Sequence, residues 1–268
     1  VARAGESRQD ERMPRRAPTD NPAALRCDDL SIARAGVRVV DGVSFRVAPG
    51  RALAVMGTTG SGKSTLAALL AGADDDSLAV VGGDAWVDGT AIRRRGRAAR
   101  VRAYYTGYVP QRAGAGLPAR LTVGDVIGEP ITSRDRRVNQ RALAVRVAGL
   151  LDEFELPLGA ATRYPYELSS GMRQRVAIAR ALVLQPRVFI GDDPYANLDV
   201  EVRQAARDAL LRRRDEDGMA ILMVTNDAEA VRELDGDVLV LRAGLPVGYG
   251  HGTTDLLWTP DGGTRMVS

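Results

Sequence analysis

The sequence has one cysteine, one histidine, one lysine and three phenylalanines among 268 residues. A lone Cys27 excludes a disulfide framework and any multi-cysteine zinc or iron–sulfur site, and a reducing compartment is expected. His251 lies far along the chain in a glycine-rich stretch and reads as a surface residue. No apolar run approaches the ~18 residues of a membrane span, so a membrane role must come through partners. Net charge is only +3, from 37 basic and 34 acidic residues, which gives no electrostatic case for nucleic acid as a partner. Residues 1–24 lack the apolar core of a signal peptide and, rich in Arg, Pro, Asp and Glu, read as a disordered tail. The initial Val reads either as a truncated chain or as a literal translation of a GTG start, with Met13 as a further candidate start.

The scarcity of lysine is itself a signal. Of the 37 basic residues all but Lys63 are arginine, so lysine survives only where a planar guanidinium cannot replace a compact ammonium. Lys63 stands in Gly57, Thr58, Thr59, Gly60, Ser61, Gly62, Lys63, Ser64, Thr65, which fits the phosphate-binding pattern G-x-x-x-x-G-K-[ST]. Residues 51–56 read as a buried strand and residues 64–71 as a helix, the context that the pattern requires. Glycines let backbone N–H groups converge on phosphate oxygens, and the helix offers its positive N-terminal end. Lys63 reaches the terminal phosphates and Ser64 can hold Mg²⁺. Such a loop suits a nucleoside triphosphate.

Around this loop the chain reads as α/β. Short β-rich pieces at 25–32, 37–40 and 43–47, separated by Gly36 and Asp41-Gly42, predict an antiparallel sheet ahead of the nucleotide strand. A strand is expected over 78–87 and another over 104–109, ending at Pro110-Gln111. The arginine-rich stretch 93–102 reads as a solvated helix face that could also approach lipid headgroups or a partner. Residues 112–165 form a helical insertion. It has a helix beginning near Thr122 and stopped by Pro130, and an amphipathic helix over 139–154 with Leu143, Val147, Leu150 and Leu151 on one face. Further on, a helix with Met172, Val176, Ala179 and Val183 on its apolar face precedes a short strand, 188–191, that runs into Asp192-Asp193. A carboxylate directly after a buried strand, downstream of such a loop, suits Mg²⁺ held through water. Helices over 200–214 and 227–234 then alternate with strands over 220–225 and 238–241, which argues for a parallel, RecA-like sheet.

These residues together resemble an ATP-binding cassette (ABC) nucleotide-binding subunit over about residues 25–250, with a tail from 251 to 268. The marks are the loop 57–65, Tyr108-Val109-Pro110-Gln111 as the Q-loop, Leu168-Ser169-Ser170-Gly171-Met172 as the signature, 188–193 as Walker B, and Ala196-Asn197-Leu198-Asp199 as the D-loop. Within the family, Arg163-Tyr164-Pro165-Tyr166-Glu167 running into the signature is most similar to peptide, oligopeptide and nickel importer subunits. No cysteine follows in the C-terminal stretch, so the cysteine-rich extension of that subfamily is not expected.

The resemblance implies a RecA-like P-loop core with an antiparallel β subdomain and an inserted helical subdomain, working with ATP and Mg²⁺. Two such subunits would face head to tail, each ATP lying between the loop 57–65 of one and Ser169, Ser170, Gly171 and Met172 of the other, with Asp199 at the junction. Ser64, Gln111 and Asp192 would hold the metal. Expected partners are a second ATPase subunit, two membrane permeases and, indirectly, an extracytoplasmic substrate-binding protein, at the cytoplasmic face of the cell membrane. Residues 113–121 are candidates for the permease groove, or else a mobile surface loop. A non-transport nucleotide-gated clamp and an exporter subunit are the competing readings.

Three positions depart from the family pattern. Asp193 stands where a glutamate usually orients the attacking water, drawing the carboxylate back by roughly 1.3 Å, and an error near 1 Å can cost about a hundredfold. Asn226 replaces the switch histidine and can donate to a phosphate oxygen but cannot become a cation. Arg34 falls where an aromatic usually stacks on adenine; it either stacks its guanidinium plane there or the base loses affinity. Weakened hydrolysis beside an intact phosphate cradle suggests an asymmetric pair with a non-identical partner, the rival being a homodimer with two slow sites.

Overall fold

The computed structural model describes residues 23–135 and 137–258. Of the disordered tail expected over 1–24, residues 1–22 lie outside the described residues, as does 259–268; Ala24 is instead buried, its carbonyl accepting from the Asp88 amide at 2.8 Å.

Two sheets organise the chain. β1 (Leu25–Arg34), β2 (Val37–Val47), β4 (Leu78–Val87) and β5 (Thr90–Ala91) form an antiparallel sheet in the order β2-β1-β4-β5. The larger sheet runs β11 (Asp255–Trp258), β10 (Leu245–His251), β9 (Asp237–Arg242), β3 (Ala52–Gly57), β8 (Ala220–Val224), β7 (Val188–Asp192), β6 (Thr106–Val109). Its five strands from β9 to β6 are parallel, and β10 and β11 add an antiparallel edge.

The parallel strands are buried on both faces, and the period of two decides which core each side chain enters. Ala52 and Ala54 of β3 join one cluster, whereas Leu53 and Val55 join the other; on β8, Ile221 and Met223 part from Leu222 and Val224 in the same way. The antiparallel sheet and α1 (Lys63–Ala71), through Leu66 and Leu70, close the second cluster.

The first cluster continues into the helical region, α3 (Val123–Thr132) and α4 (Gln140–Glu153), and into α5 (Ser170–Leu182), α6 (Val200–Asp217) and α7 (Ala228–Leu234). Phe154, the C-cap of α4, is fully buried there, and its carbonyl accepts from Arg175 of α5 at 2.9 Å. Glu153 at the end of α4 receives Arg213 of α6 at 2.8 and 2.7 Å, a two-pronged ion pair joining the helical region to the core.

Several sequence expectations are corrected. Asp41-Gly42 does not break a strand: β2 is continuous, and the pairing shifts from Leu30 with Val43 to Ile32 with Val40, so the extra residues form a bulge. Pro130 does not stop α3, which ends at Thr132; so near the C-terminus the ring costs one helical bond, and the Ser133 amide still donates to Glu129 at 2.9 Å. Tyr104 and Tyr105 belong not to a strand but to α2 (Arg97–Tyr105). The face of α2 is not wholly solvated, because Arg102 is buried and donates to the Ala91 and Ile92 carbonyls at 3.2 and 3.1 Å. Residues 255–258, within the expected tail, pair with β10 as β11.

Phe154→Ala removes a fully buried ring at the joint between α4 and α5 and is expected to cost about 3–5 kcal/mol. Val145→Ala, on the exposed side of α4, should stay within about 0.5 kcal/mol; urea unfolding of both variants checks the contrast.

Candidate functional site

The parallel register brings four segments to one edge of the large sheet. Val55 pairs with Val224, Asp192 with Val224, and Val109 with Gly191. Each strand therefore ends at a similar level, and Gly57, Asn226, Asp192-Asp193 and Gln111 follow within two residues of those ends. In open α/β sheets this carboxyl edge is where ligands sit.

The loop 57–65 is held in shape by close approach. Gly57 has φ 144°, and a Cβ there would lie 2.1 Å from the Leu241 carbonyl oxygen of β9. Gly62, the N-cap of α1, has φ 96°, and its Cβ would lie 2.6 Å from the Val39 carbonyl oxygen. Only glycine satisfies both positions. Thr58, Thr59 and Gly60 at the loop tip and Ser64 are exposed, while Ser61 and Thr65 are buried and anchor the loop.

Lys63 arches back over the loop, and its Nζ donates to the Gly57 and Thr58 carbonyls at 2.7 and 2.9 Å. Burial lowers its pKa, while the charges of Asp192 and Asp193 act in the opposite sense. An ammonium pinned over backbone N–H groups at a helix start, with no side-chain cap on that helix, fits a phosphate chain.

Asp192 is almost fully buried, and burial raises its carboxyl pKa; the Ser64 hydroxyl and Lys63 pull it down, and Asp193 pushes it further up. A buried carboxylate beside a hydroxyl is a hard-oxygen donor pair that fits Mg²⁺. Among the described residues no group of three or more His, Cys, Asp or Glu side chains offers a protein-only metal cage.

Asp193 has a left-handed backbone, φ 49°, and its amide donates to the Val224 carbonyl at 2.8 Å. Asn226 is exposed, and its Oδ1 accepts from the Gly57 amide at 3.1 Å, which leaves its NH₂ to donate outward. Gln111 is exposed just beyond β6. Burial and the nearby Asp192 push the Tyr108 phenol up to about 12.

The signature residues form a separate surface. Ser169 N-caps α5, its Oγ accepting from the Met172 amide at 3.2 Å. Ser169 and Ser170 are exposed, and Gly171 is half-buried, its Cβ position 3.1 Å from the Asn197 carbonyl oxygen. Asp199 is exposed at the N-cap of α6 without a side-chain capping bond. Among the described residues no hydrogen bond or ion pair joins 169–172 to 57–65. Arg34, at the end of β1, donates to Asp75 Oδ2 at 3.3 Å, so its guanidinium is engaged at that carboxylate.

The sequence reading passed over Gln174 as a linker. It is buried, its Oε1 accepts from the Gly114 amide at 3.1 Å, and its Nε2 donates to the Pro194 carbonyl at 2.9 Å. One side chain thus ties the signature helix to the turn after Gln111 and to the loop after Asp193. Flanked by Arg173 and Arg175, it looks like one more polar residue; only a polar position turned towards an apolar helix face would have marked it.

In the turn at 113–121, read from the sequence as permease groove or mobile loop, Ala113 and Gly114 are buried beneath α5, where a Cβ on Gly114 would meet the Gln174 amide at 2.7 Å, whereas Ala115, Gly116 and residues 118–120 are exposed. An open cleft of about 1100 Å³ lies between α2, β6, α3 and α5, with Tyr104, Tyr105, Pro110, Glu129 and Arg180 among its walls.

Lys63→Arg tests the cradle without removing charge. A guanidinium cannot make both short carbonyl contacts and still face a phosphate, so ATP affinity, read by titration with a fluorescent ATP analogue, should fall at least about tenfold.

Comparison with known proteins bears on what this geometry belongs to. A family model described as ABC transporter matches residues 40–196. The oligopeptide transport ATP-binding protein OppD of Mycobacterium tuberculosis is 39% identical over 217 residues, covering 80% of this chain and 34% of that protein. OppF of Escherichia coli is 30% identical over 214 residues, 80% of this chain and 63% of that protein. A putative peptide import ATP-binding protein of Brucella abortus is 34% identical over 219 residues, 81% of this chain and 64% of that protein. The chain therefore spans between about a third and under two thirds of the length of these relatives. Among solved structures, the dimeric bacterial ABC transporter cassette MJ0796 superposes with a TM-score of 0.77 at 23% identity, covering 85% of this chain and 98% of that one. With the family model matching more than half of its length, the chain belongs to the ABC transporter family, of which it forms an ATP-binding cassette.

Proposed function

We propose that this chain is the ATP-binding subunit of a membrane ABC importer for peptides or a related small solute. The relatives named oligopeptide transport and peptide import ATP-binding proteins support the solute class. Among the described residues no helix is long and apolar enough to cross a membrane, so the chain meets the transporter by docking. The cleft beside Gln111 is the permease seat: its wall includes Pro110, next to the metal-side glutamine, so a shift there is felt at the nucleotide. The chain works at the cytoplasmic face of the membrane, with two permeases and, through them, an extracytoplasmic binding protein.

The observation that carries the mechanism is the separation of the two half-sites. Ser169, Ser170 and Asp199 are exposed and away from the chain's own loop 57–65, which suits completion of a site on a second ATPase subunit. In the composite site Lys63 and the loop amides bind the phosphates, Ser64 and Asp192 hold Mg²⁺ with Gln111, and the Asn226 NH₂ donates to the terminal phosphate. Mg²⁺ supplies charge neutralisation across the phosphates. Asp193 then orients the attacking water from a carboxylate one methylene too far back. The chain thus binds ATP well and hydrolyses it slowly at its own loop, while its signature serves a faster site on a non-identical partner.

Steady-state ATPase activity of the assembled transporter tests this. Lys63→Ala here should leave substantial turnover, whereas the equivalent lysine change in the partner should abolish it; equal losses would sink the asymmetric reading. Asp193→Glu should raise hydrolysis at this chain's site, by up to about a hundredfold.

A further inference from the structure

Charge is distributed far less evenly than the net value of +3 suggests. Residues 89–124 carry eight arginines and no aspartate or glutamate. Two of the eight are committed inside the fold. Arg102 is buried against the carbonyls of 91 and 92, and Arg93 donates to the Gly83 and Val80 carbonyls at 2.9 and 3.3 Å. Arg94, Arg95, Arg97 and Arg100 are exposed, and among the described residues none of them has an ion-pair partner.

These four gather around the first turn of α2, which has no acidic residue there. Helix dipole and side chains therefore have the same sign at that end, and like charges at positions 97 and 100 share one face. Asp74 and Glu129 stand in the same cleft wall, but among the described residues neither pairs with these arginines, and Glu129 is taken by Arg180. Along the same stripe, Val101 and Tyr104 are each 42% exposed, at the spacing i, i+3, i+4, i+7 from Arg97. A row of unpaired guanidinium groups followed by a valine and a tyrosine is the composition of a surface that meets lipid headgroups with its charges and the acyl boundary with its rings and methyls.

We propose that the loop 94–96 and the exposed face of α2 bind the anionic headgroups of a phospholipid surface. The complementarity is electrostatic, with each arginine near an anionic leaflet contributing about a fivefold gain in binding. The inference goes beyond the transporter reading: Arg97, Arg100, Val101 and Tyr104 also wall the cleft proposed as the permease seat, so lipid and permease compete for this face, and the isolated full chain, with the cleft open, should show the lipid contact.

The test is cosedimentation of the purified full chain with vesicles of phosphatidylglycerol and phosphatidylcholine, against vesicles of phosphatidylcholine alone, across a salt series. Binding is expected to the anionic vesicles only and to weaken as salt rises. Arg94→Gln, Arg95→Gln, Arg97→Gln and Arg100→Gln combined should lower affinity about a hundredfold or more, with ATP affinity unchanged as a check on folding. A control of equal net charge carries Arg51→Gln, Arg141→Gln, Arg232→Gln and Arg242→Gln, all exposed on other elements, and should lose less than about a third as much on a logarithmic scale. Absence of binding to anionic vesicles overturns the proposal. Equal loss in the control overturns it too, since net charge alone would then be acting. If vesicles do not bind but the α2 variant no longer assembles with permease, the face recognises an acidic protein segment and the lipid assignment fails. Loss of the importer reading would leave vesicle binding intact, so the two failures are distinguishable.

Discussion

A Cβ at position 57 would have to occupy the space of the Leu241 carbonyl oxygen, 2.1 Å away, and much of the site depends on that contact. Because β3 and β9 are parallel neighbours, the chain leaving β3 must turn against the adjoining backbone before it can wind into α1. The turn points the Gly57 and Thr58 carbonyls inward, where Lys63 bonds to both, and presents the Gly57 amide to Asn226. The glycine, the lysine and the switch-position asparagine are thus three parts of one local solution. Asn226 reaches the loop from β8, the next strand along, so the sheet itself sets its distance.

The phosphate cradle was legible in the sequence because its chemistry tolerates few residue types. The survival of one lysine among 37 basic residues made the point independently of any motif. The doubly buried strands were legible for a related reason, since apolar residues on both faces leave little other choice. What escaped depends on contacts between distant segments. Gln174 gains its importance from amides and carbonyls 60 and 20 residues away. The burial of Arg102 depends on the carbonyls of Ile92 and Ala91, 10 and 11 residues before it at the end of the two-residue strand β5. Pro130 misled because its effect depends on how far it lies from the end of the helix, which the strength of the proline signal does not convey.

The same limit applies to the turn after Gln111. A glycine- and alanine-rich turn after Gln111 reads as open surface, because small residues carry no mark of burial. Here small size serves close packing instead: Ala113 and Gly114 let the turn slide under α5 to meet Gln174. Open space adjoins Pro110 in the cleft between α2, α3 and α5, where Tyr104 and Tyr105 are among the walls.

The slow-site proposal rests on more than the length of a side chain. A shorter carboxylate could be compensated if its backbone moved forward by about the length of one bond. At Asp193 that freedom is restricted, because the residue sits in the left-handed region and its amide is tied to Val224, the residue paired with Asp192 in the sheet. Pro194 follows, its own carbonyl bonded to Gln174. The strand behind, the proline ahead and the glutamine beside it fix the Cα, so reach is decided at the side chain alone. A partner that tightened against Ser169 or Asp199 would move the signature helix and, through Gln174, pull on the carbonyl next to Asp193. In the proposed composite site, that glutamine and the close approach of Gly171 to the Asn197 carbonyl are two links between a partner's contact and Asp193.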